Sequence, residues 1–153
     1  GQLKAVQHIQ ATGGAFAAIQ EDETVLTWGD PRRGGDSSTV RGQLKAVQQI
    51  QASEMGRCAF AAILEDGCVV TWGNPHSGGD SSAVQEQLKA VRQIQATWGA
   101  FAAILEDGTV LTWGDQDGSV VTWGHPECGG DSSAVQEQLK AVRHIEGTQR
   151  AFA

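Results

Sequence analysis

The stretch AFAAILEDGTVLTWGD, at residues 100–115, occurs almost unchanged at residues 15–30 and 59–74. An Asp-Gly pair between two apolar runs is a strong signal for a β-hairpin, because the turn needs a residue with positive φ. Each copy therefore predicts a hairpin. The first copy is expected to be the weakest, because Glu23 stands at the turn glycine and Gln20 replaces the leucine of the other copies.

The turn sequence also predicts which residues pair across the hairpin. If Asp-Gly is a two-residue loop, Ala61 lies opposite Trp72 and Ile63 lies opposite Val70. The other face of this hairpin would then carry Phe60, Ala62, Leu64, Val69 and Thr71. Both faces are largely apolar, so the hairpin is expected to have something packed on each side.

The whole chain is built from repeats. The pentapeptide QLKAV begins at Gln2, Gln43, Gln87 and Gln138, at separations of 41, 44 and 51 residues. An insertion of three residues in the second unit and a ten-residue duplication in the third account for the differences, which leaves a period of 41. Such a period is typical of solenoids, propellers and similar arrays. The predicted units are 1–41, 42–85 and 86–136, with a stub at 137–153.

The segment at residues 78–97, GGDSSAVQEQLKAVRQIQAT, allows two interpretations. Apolar residues at helical spacing behind a possible Ser82/Gln85 capping box favour a helix that extends to Ile94. The alternative is a loop or a single helical turn, followed by a strand with Ala90, Ile94 and Ala96 on one face. A third strand per unit would turn each hairpin into a small sheet.

The order of LKAVRQIQAT, AFAAILEDGTVLTWGD and GGD resembles the regulator-of-chromosome-condensation repeat family, across nearly the whole chain. The resemblance implies an all-β fold, a partial β-propeller of about three blades. Each blade would have three antiparallel strands, with a short loop or helical turn between blades. Phe16, Phe60 and Phe101 depart from that family's pattern, which often has His or Trp there, and GGD replaces a GQLG-like stretch.

The length of the chain bears on ring closure. Seven blades of 41 residues would need close to twice the 153 residues present. We therefore expect a fragment of a larger protein, or self-association through open blade edges that a partial propeller exposes.

Composition excludes several classes of partner. The net charge of -7 disfavours nucleic acid, and the longest apolar runs are far shorter than the roughly 20 residues of a membrane helix. Cys58, Cys68 and Cys128 lack the spacing of a disulfide framework or zinc clip, so they are expected to be reduced thiols. These features favour a cytoplasmic protein with no membrane contact.

No residue pattern indicates catalysis, a metal or a cofactor. The four histidines are not spaced as metal ligands, and the GGDSS loops at 34–38, 78–82 and 129–133 lack the lysine of a phosphate-binding loop. Turns are the simpler interpretation of GGDSS. Serine, histidine and acidic residues recur by repetition rather than as a unique group, so we expect a protein without enzymatic activity.

Variation within the constant frame points to binding. The loops after each WG, at 31–35, 75–79 and 116–130, differ between units, as binding residues on repeat scaffolds do. The candidates for partner contact are Arg32, Arg33, His76, Trp98 and His125. Trp28, Trp72, Trp113 and Trp123 are predicted to lie mainly in the core, whereas Trp98 has no counterpart in other units.

The predicted function is a scaffold for protein–protein interaction. The resemblance implies two alternatives: a propeller segment of a HECT-type ubiquitin ligase, or a guanine-nucleotide exchange factor for a small GTPase. A structural array with no selected ligand also fits the near-identity of the units. Residues 117–124 are predicted to add an extra hairpin.

Overall fold

The computed structural model describes residues 5–53 and 58–114, where the chain forms nine β-strands in three antiparallel sheets. The strands are β1 (Val6–Ala11), β2 (Ala15–Gln20), β3 (Val25–Gly29), β4 (Val47–Ala52), β5 (Ala59–Leu64), β6 (Val69–Gly73), β7 (Val91–Ala96), β8 (Ala100–Leu105) and β9 (Val110–Gly114). Consecutive strands are neighbours, so each sheet is an up-and-down unit of three strands. We call these sheets units 1, 2 and 3. The predicted hairpins are their second and third strands.

The segment at residues 78–97 forms turns followed by the first strand of unit 3. Residues 82–87 are turns, no α-helix is present in the ranges described, and the chain enters β7 at Val91. The helical interpretation is therefore wrong. A bulge between Val91 and Gln93 leaves Arg92 outside the pairing, so Val91 and Ile94 can both be buried. Ala90 does not share their face as predicted, because it precedes the strand at a φ of 54°.

The hairpin register differs by one residue from the prediction. Phe60 pairs with Trp72, Ala61 with Thr71 and Ala62 with Val70. A shift of one residue moves every side chain of a strand to the opposite face. Phenylalanine, not alanine, therefore lies beside each indole, and the rings stack with centroids 5.2–5.4 Å apart in all three units.

The units pack face to face. The face of unit 1 that carries Ala15, Ala17 and Ile19 packs against the face of unit 2 that carries Phe60 and Trp72. In the same way, Ala59, Ala61 and Ile63 of unit 2 pack against unit 3, on the face that carries Phe101 and Trp113. We call the two sides of a unit its alanine face and its aromatic face. Small residues on one face leave room for the stacked rings of the next.

This packing confirms that the middle strands are covered on both sides. In β5 and β8 every residue except the terminal leucine is buried. Trp72 and Trp113 are core residues with 3% and 4% exposure, as predicted, whereas Trp28 is 38% exposed. The described part of the chain contains no helix long and apolar enough to cross a bilayer.

Candidate functional site

The loop after the third strand has the same frame in units 1 and 2. Pro31–Arg33 and Pro75–Ser77 are single 3-10 turns. The Asp30 carboxylate accepts the backbone N–H of Arg32 at 2.9 Å, and the Asn74 side-chain oxygen accepts that of His76 at 3.0 Å. Proline and a capping side chain restrict both turns to one conformation. We call residues 31–35 and 75–79 the post-tryptophan loops.

Each post-tryptophan loop is anchored to the following unit. Gly34 and Gly78 close the turns in the left-handed region, at φ 94° and 91°. The Gly34 carbonyl accepts a hydrogen bond from Trp72 Nε1, and the Gly78 carbonyl accepts one from Trp113 Nε1, both at 3.1 Å. The closing glycine of each loop is therefore tied to the tryptophan of the following unit.

The two arginines of the first loop have different roles. The Arg33 Nη1 donates to the Gly13 carbonyl at 3.1 Å, which braces the loop against the turn between β1 and β2. Arg32 has a side chain 91% exposed, and its Nε lies 3.6 Å from an Asp30 carboxylate oxygen. Its guanidinium therefore keeps most of its five donors available to a partner.

The remaining candidates lie at the same end of later units. His76 is exposed and occupies the place in its loop that Arg32 occupies in the first. Trp98 lies in the turn between β7 and β8, where unit 1 has Gly13, and it is half-buried rather than fully exposed. We call this end, with the post-tryptophan loops and these turns, the loop end. His125 and the loop at 116–130 lie outside the described residues, as do residues 117–124.

The GGDSS loops hold their polar groups in internal bonds. The Ser37 hydroxyl lies 2.9 Å from that of Thr27, and Ser81 lies 2.9 Å from Thr71. The Asp80 carboxylate accepts the N–H of Ser82 at 2.9 Å, and this hydrogen bonding lowers the pKa of Asp80. These contacts favour the interpretation of GGDSS as a turn. Residues 5–53 and 58–114 contain no cluster of three potential metal ligands.

Unit 1 has an exposed surface that its sequence does not predict. Its aromatic face leaves Ile9, Phe16, Leu26 and Trp28 between 38% and 50% exposed. The same positions are buried in unit 2, and in unit 3 all are buried except Leu111, which is half-buried. Nothing in the local sequence marks the difference. The one usable signal is that this unit comes first among three that stack in order.

Comparisons with known proteins identify the fold. No protein-family model matches the chain, and no curated protein does. Among solved structures, yeast RCC1 (Prp20) bound to Kap60 matches with a TM-score of 0.57 at 17% identity, over 80% of this chain and 32% of that one. Prp20p from Saccharomyces cerevisiae, studied for its binding to Gsp1p and histones, matches with a TM-score of 0.58 at 17% identity, over 80% and 34%.

A third match comes from a plant receptor. The CRINKLY WD40 ectodomain of the Arabidopsis thaliana receptor kinase ACR4 gives a TM-score of 0.53 at 18% identity, over 76% of this chain and 41% of that one. The chain spans about a third of the two yeast structures. At these identities the likeness establishes the fold alone. The predicted fold is confirmed: the chain has an all-β, RCC1-like β-propeller repeat fold.

Proposed function

We propose that this chain is a non-enzymatic scaffold for protein–protein interaction, and that its partner binds the loop end. The observation that carries the proposal is a constant backbone with different exposed side chains. Both post-tryptophan loops have the same capped turn and closing glycine, yet one presents Arg32 and the other presents His76. Arg33 and Trp98 lie at the same end of their units, and His125, outside the described residues, is a further candidate from its place in the sequence.

The chemistry of the loops indicates what the partner offers. The chain as a whole is acidic, with a net charge of -7, while the first loop carries two adjacent arginines. An exposed guanidinium pairs best with carboxylates, because its fork of donors matches their geometry. The partner is thus a protein surface with acidic side chains. Nucleic acid and membranes are not partners in this proposal.

The fold supports protein partners in general terms. The yeast Prp20 structures include one bound to Kap60 and one studied for its binding to Gsp1p and histones. Two more specific functions remain alternatives to a general scaffold: a segment of a HECT-type ubiquitin ligase, and a guanine-nucleotide exchange factor for a small GTPase. Nucleotide-exchange assays with a panel of small GTPases test the second, and a catalytic-cysteine domain in the same polypeptide would support the first.

Quantitative affinity capture tests the proposal. The purified chain is immobilised and compared with a variant that carries Arg32→Ser and His76→Ser, and with a Lys45→Ser control. Lys45 is also exposed and lies outside the post-tryptophan loops. Proteins that bind the loop end should be retained by the wild type and the control, and reduced at least tenfold by the double variant. Equal retention by all three would contradict the proposal.

The expected location is the cytoplasm, where the three cysteines would remain reduced. Fractionation of cells that express the tagged chain tests this expectation. Recovery in a secreted fraction would contradict it.

A further inference from the structure

The third strand of each unit is an edge strand, because its sheet pairs it on one side only. In unit 1 the Thr24 carbonyl and the Asp30 N–H bond to residues in or next to β2. Backbone groups alternate in direction along an antiparallel strand, so those of Val25 and Thr27 point away from the sheet. Among the described residues, these outward groups of Val25 and Thr27 have no hydrogen-bond partner.

In unit 2 a glutamine caps the corresponding edge of β6. Gln85 Nε2 donates to the Val69 carbonyl at 3.0 Å, and Gln85 Oε1 accepts the Ser81 hydroxyl at 2.7 Å. Val69 is the counterpart of Val25. The glutamine therefore occupies an outward acceptor that an added strand would need, which is one way in which proteins protect the edges of sheets.

In unit 1 an arginine stands at the position of this glutamine. Arg41 is exposed, and within residues 5–53 and 58–114 it has no hydrogen bond or ion pair. A guanidinium has donors only, so it cannot accept the Ser37 hydroxyl as the glutamine accepts that of Ser81. The clamp of unit 2 therefore cannot form here, and the Val25 carbonyl is left open.

A groove runs beside each of these two edges. In unit 2 the groove has a volume of about 310 Å³ and is lined in part by Thr71 and Gln85. Because units 1 and 3 pack on the two faces of unit 2, this groove belongs to the third strand and its loop even where both faces are covered. The groove of unit 1 measures about 370 Å³ and is lined in part by Val25, Thr27 and Arg41. We call it the β3 groove.

The charges around the two grooves differ. Residues 31–41 contain three arginines and one aspartate, whereas the corresponding residues 75–85 contain one aspartate and no arginine or lysine. The β3 groove is thus locally positive in a chain whose net charge is -7. Carboxylates are the groups that guanidinium donors bind best. An acidic occupant is therefore favoured at β3 over the capped and locally negative edge of β6.

We propose that the partner binds as an extended, acidic segment that adds a strand to the edge of β3, with a carboxylate against Arg41. The inference rests on the proposed function, because Pro31 of the first post-tryptophan loop lines the same groove. Strand addition supplies main-chain hydrogen bonds to Val25 and Thr27, and Arg41 selects the charge of the segment. The far end of β3 is not available, since a Cβ on Gly35 would lie 2.5 Å from the Gly29 carbonyl oxygen.

Titration of the nitrogen-15-labelled protein with end-blocked peptides tests strand addition. The probe is Glu-Val-Thr-Val-Thr-Glu, and Lys-Val-Thr-Val-Thr-Lys is the charge control. The acidic peptide should shift the amide signals of Val25 and Thr27 and slow their hydrogen exchange. It should also bind about fivefold more tightly than the basic peptide. Equal binding of the two peptides, or shifts that spare Val25 and Thr27, would overturn the inference.

N-methylation of the acidic peptide tests the main-chain hydrogen bonds. One version carries the methyl group on its third residue, and another carries it on its fourth. Alternate N–H groups of an added strand face β3, so one version should lose binding and the other should retain it. Loss of binding in both versions, or in neither, would contradict strand addition.

Substitutions at Arg41 separate the cap from the charge. Arg41→Gln recreates the side chain of unit 2 beside Ser37 and should weaken binding of the acidic peptide about tenfold or more. Arg41→Ser removes the charge but leaves the Val25 carbonyl open, so its loss should be smaller, and Arg41→Lys should stay within about threefold of the wild type. Equal losses for the glutamine and serine variants would contradict the role of the cap. Conversely, Gln85→Arg should create a second site, seen as peptide-induced shifts at Val69.

The same variants distinguish this inference from the proposed function. Arg41→Gln leaves Arg32 and His76 unchanged. A partner that is captured by Arg41→Gln but lost by the Arg32→Ser, His76→Ser variant would bind the loop end without strand addition, which overturns the inference alone. Peptide binding at β3 with capture that ignores the double variant would support the β3 site and contradict only the proposed function. A dimer of the chain that Arg41→Gln abolishes would assign the edge to a second copy and overturn the inference.

Discussion

At the scale of single residues, the same indole hydrogen bond recurs between each described unit and the next. Gly34 and Trp72 are 38 residues apart, whereas Gly78 and Trp113 are 35 apart. The difference equals the three-residue insertion of unit 2, which lies in the connection between β4 and β5. The contact is therefore independent of that connection. It depends on a glycine carbonyl, an indole N–H and the absence of a side chain at the glycine, where a Cβ would meet a phenylalanine ring of the next unit.

Gly78→Ala should destabilise the protein by about 2–4 kcal/mol. Gly78 has a φ of 91°, and a Cβ there would lie 2.5 Å from Phe101 Cδ2. The cost combines left-handed backbone strain with overpacking. Gly42→Ala is the control, because a Cβ at Gly42 meets nothing within 4 Å and its φ is outside the left-handed range. Urea denaturation measures both, and similar free energies of unfolding for the two variants would contradict this explanation.

Trp72→Phe should cost more stability than Trp28→Phe. Both substitutions keep an aromatic ring, but only Trp72 donates to a buried carbonyl, that of Gly34. Leaving a buried acceptor without its donor costs about 1–3 kcal/mol. Thermal or urea unfolding of dilute samples gives the comparison. Equal losses would mean that the indole hydrogen bond adds little to the contact between units.

At the scale of elements, the sequence predicts where the hairpins lie but not their register. The Leu64 N–H donates to the Cys68 carbonyl at 2.9 Å, so the loop has three residues and ends with Gly67 at a φ of 77°. Asp-Gly fits this loop as well as the two-residue turn, because both place glycine where φ is positive. Asp-Gly alone therefore leaves the register undetermined by one residue.

In the turn of unit 1, Glu23 occupies the position where units 2 and 3 have Gly67 and Gly108. Glu23 has a φ of 60°, although it has a side chain. The Glu23 carbonyl accepts the N–H of Val47 at 3.3 Å, whereas the Gly67 carbonyl accepts that of Val91 at 2.9 Å. A Cβ at Gly67 would lie 2.9 Å from the Ala90 Cα, so a side chain at this position crowds the next unit. The positive φ of Glu23 bears on the expectation of a weaker first hairpin, which stays a prediction.

Glu23→Gly should therefore stabilise the protein by about 1 kcal/mol, by removing left-handed strain. Protection of the Val47 amide against hydrogen exchange should rise with it. Glu21→Gly is the control, because Glu21 is in the same turn without a positive φ, and it should be destabilising by about 0.5 kcal/mol. Stabilisation by both substitutions would point to charge rather than backbone conformation.

At the scale of the whole molecule, nearly identical sequences occupy different environments. Trp28 and Trp72 follow nearly the same residues and have the same stacked partner, yet one is 38% exposed and the other 3%. The sequence predicted that the units repeat, from the period of 41 residues, and that both hairpin faces are apolar, from the alternation of side chains along the strands. It could not predict which face stays open, because that depends on position in the array.

Stability should fall when the solution is acidified below the ordinary carboxyl range. Hydrogen bonds from Ser38, Ser82 and Thr109 lower the pKa of Asp36, Asp80 and Asp107 below 3.8. Folding therefore favours the charged carboxylates. Their contribution is present above pH 3.8 and is lost as the pH falls through the lower folded-state values.

Unfolding measured from pH 5 to pH 2 tests this expectation. Asp80→Asn keeps an oxygen acceptor for Ser82 without a titrating charge, so it should reduce the loss of stability on acidification. A variant with the same pH profile as the wild type would show that Asp80 does not contribute to it.

In the proposed function, a protein partner binds the loop end and not the opposite, hairpin end. Site-specific photo-crosslinking tests it most directly, with one photoreactive residue in place of Arg32 and, in a second sample, one in place of Glu106. Glu106 is exposed in the turn between β8 and β9, at the other end of its unit. We predict a discrete crosslinked partner from position 32 and none from position 106. The same partner from both positions, or from position 106 alone, would contradict binding at the loop end.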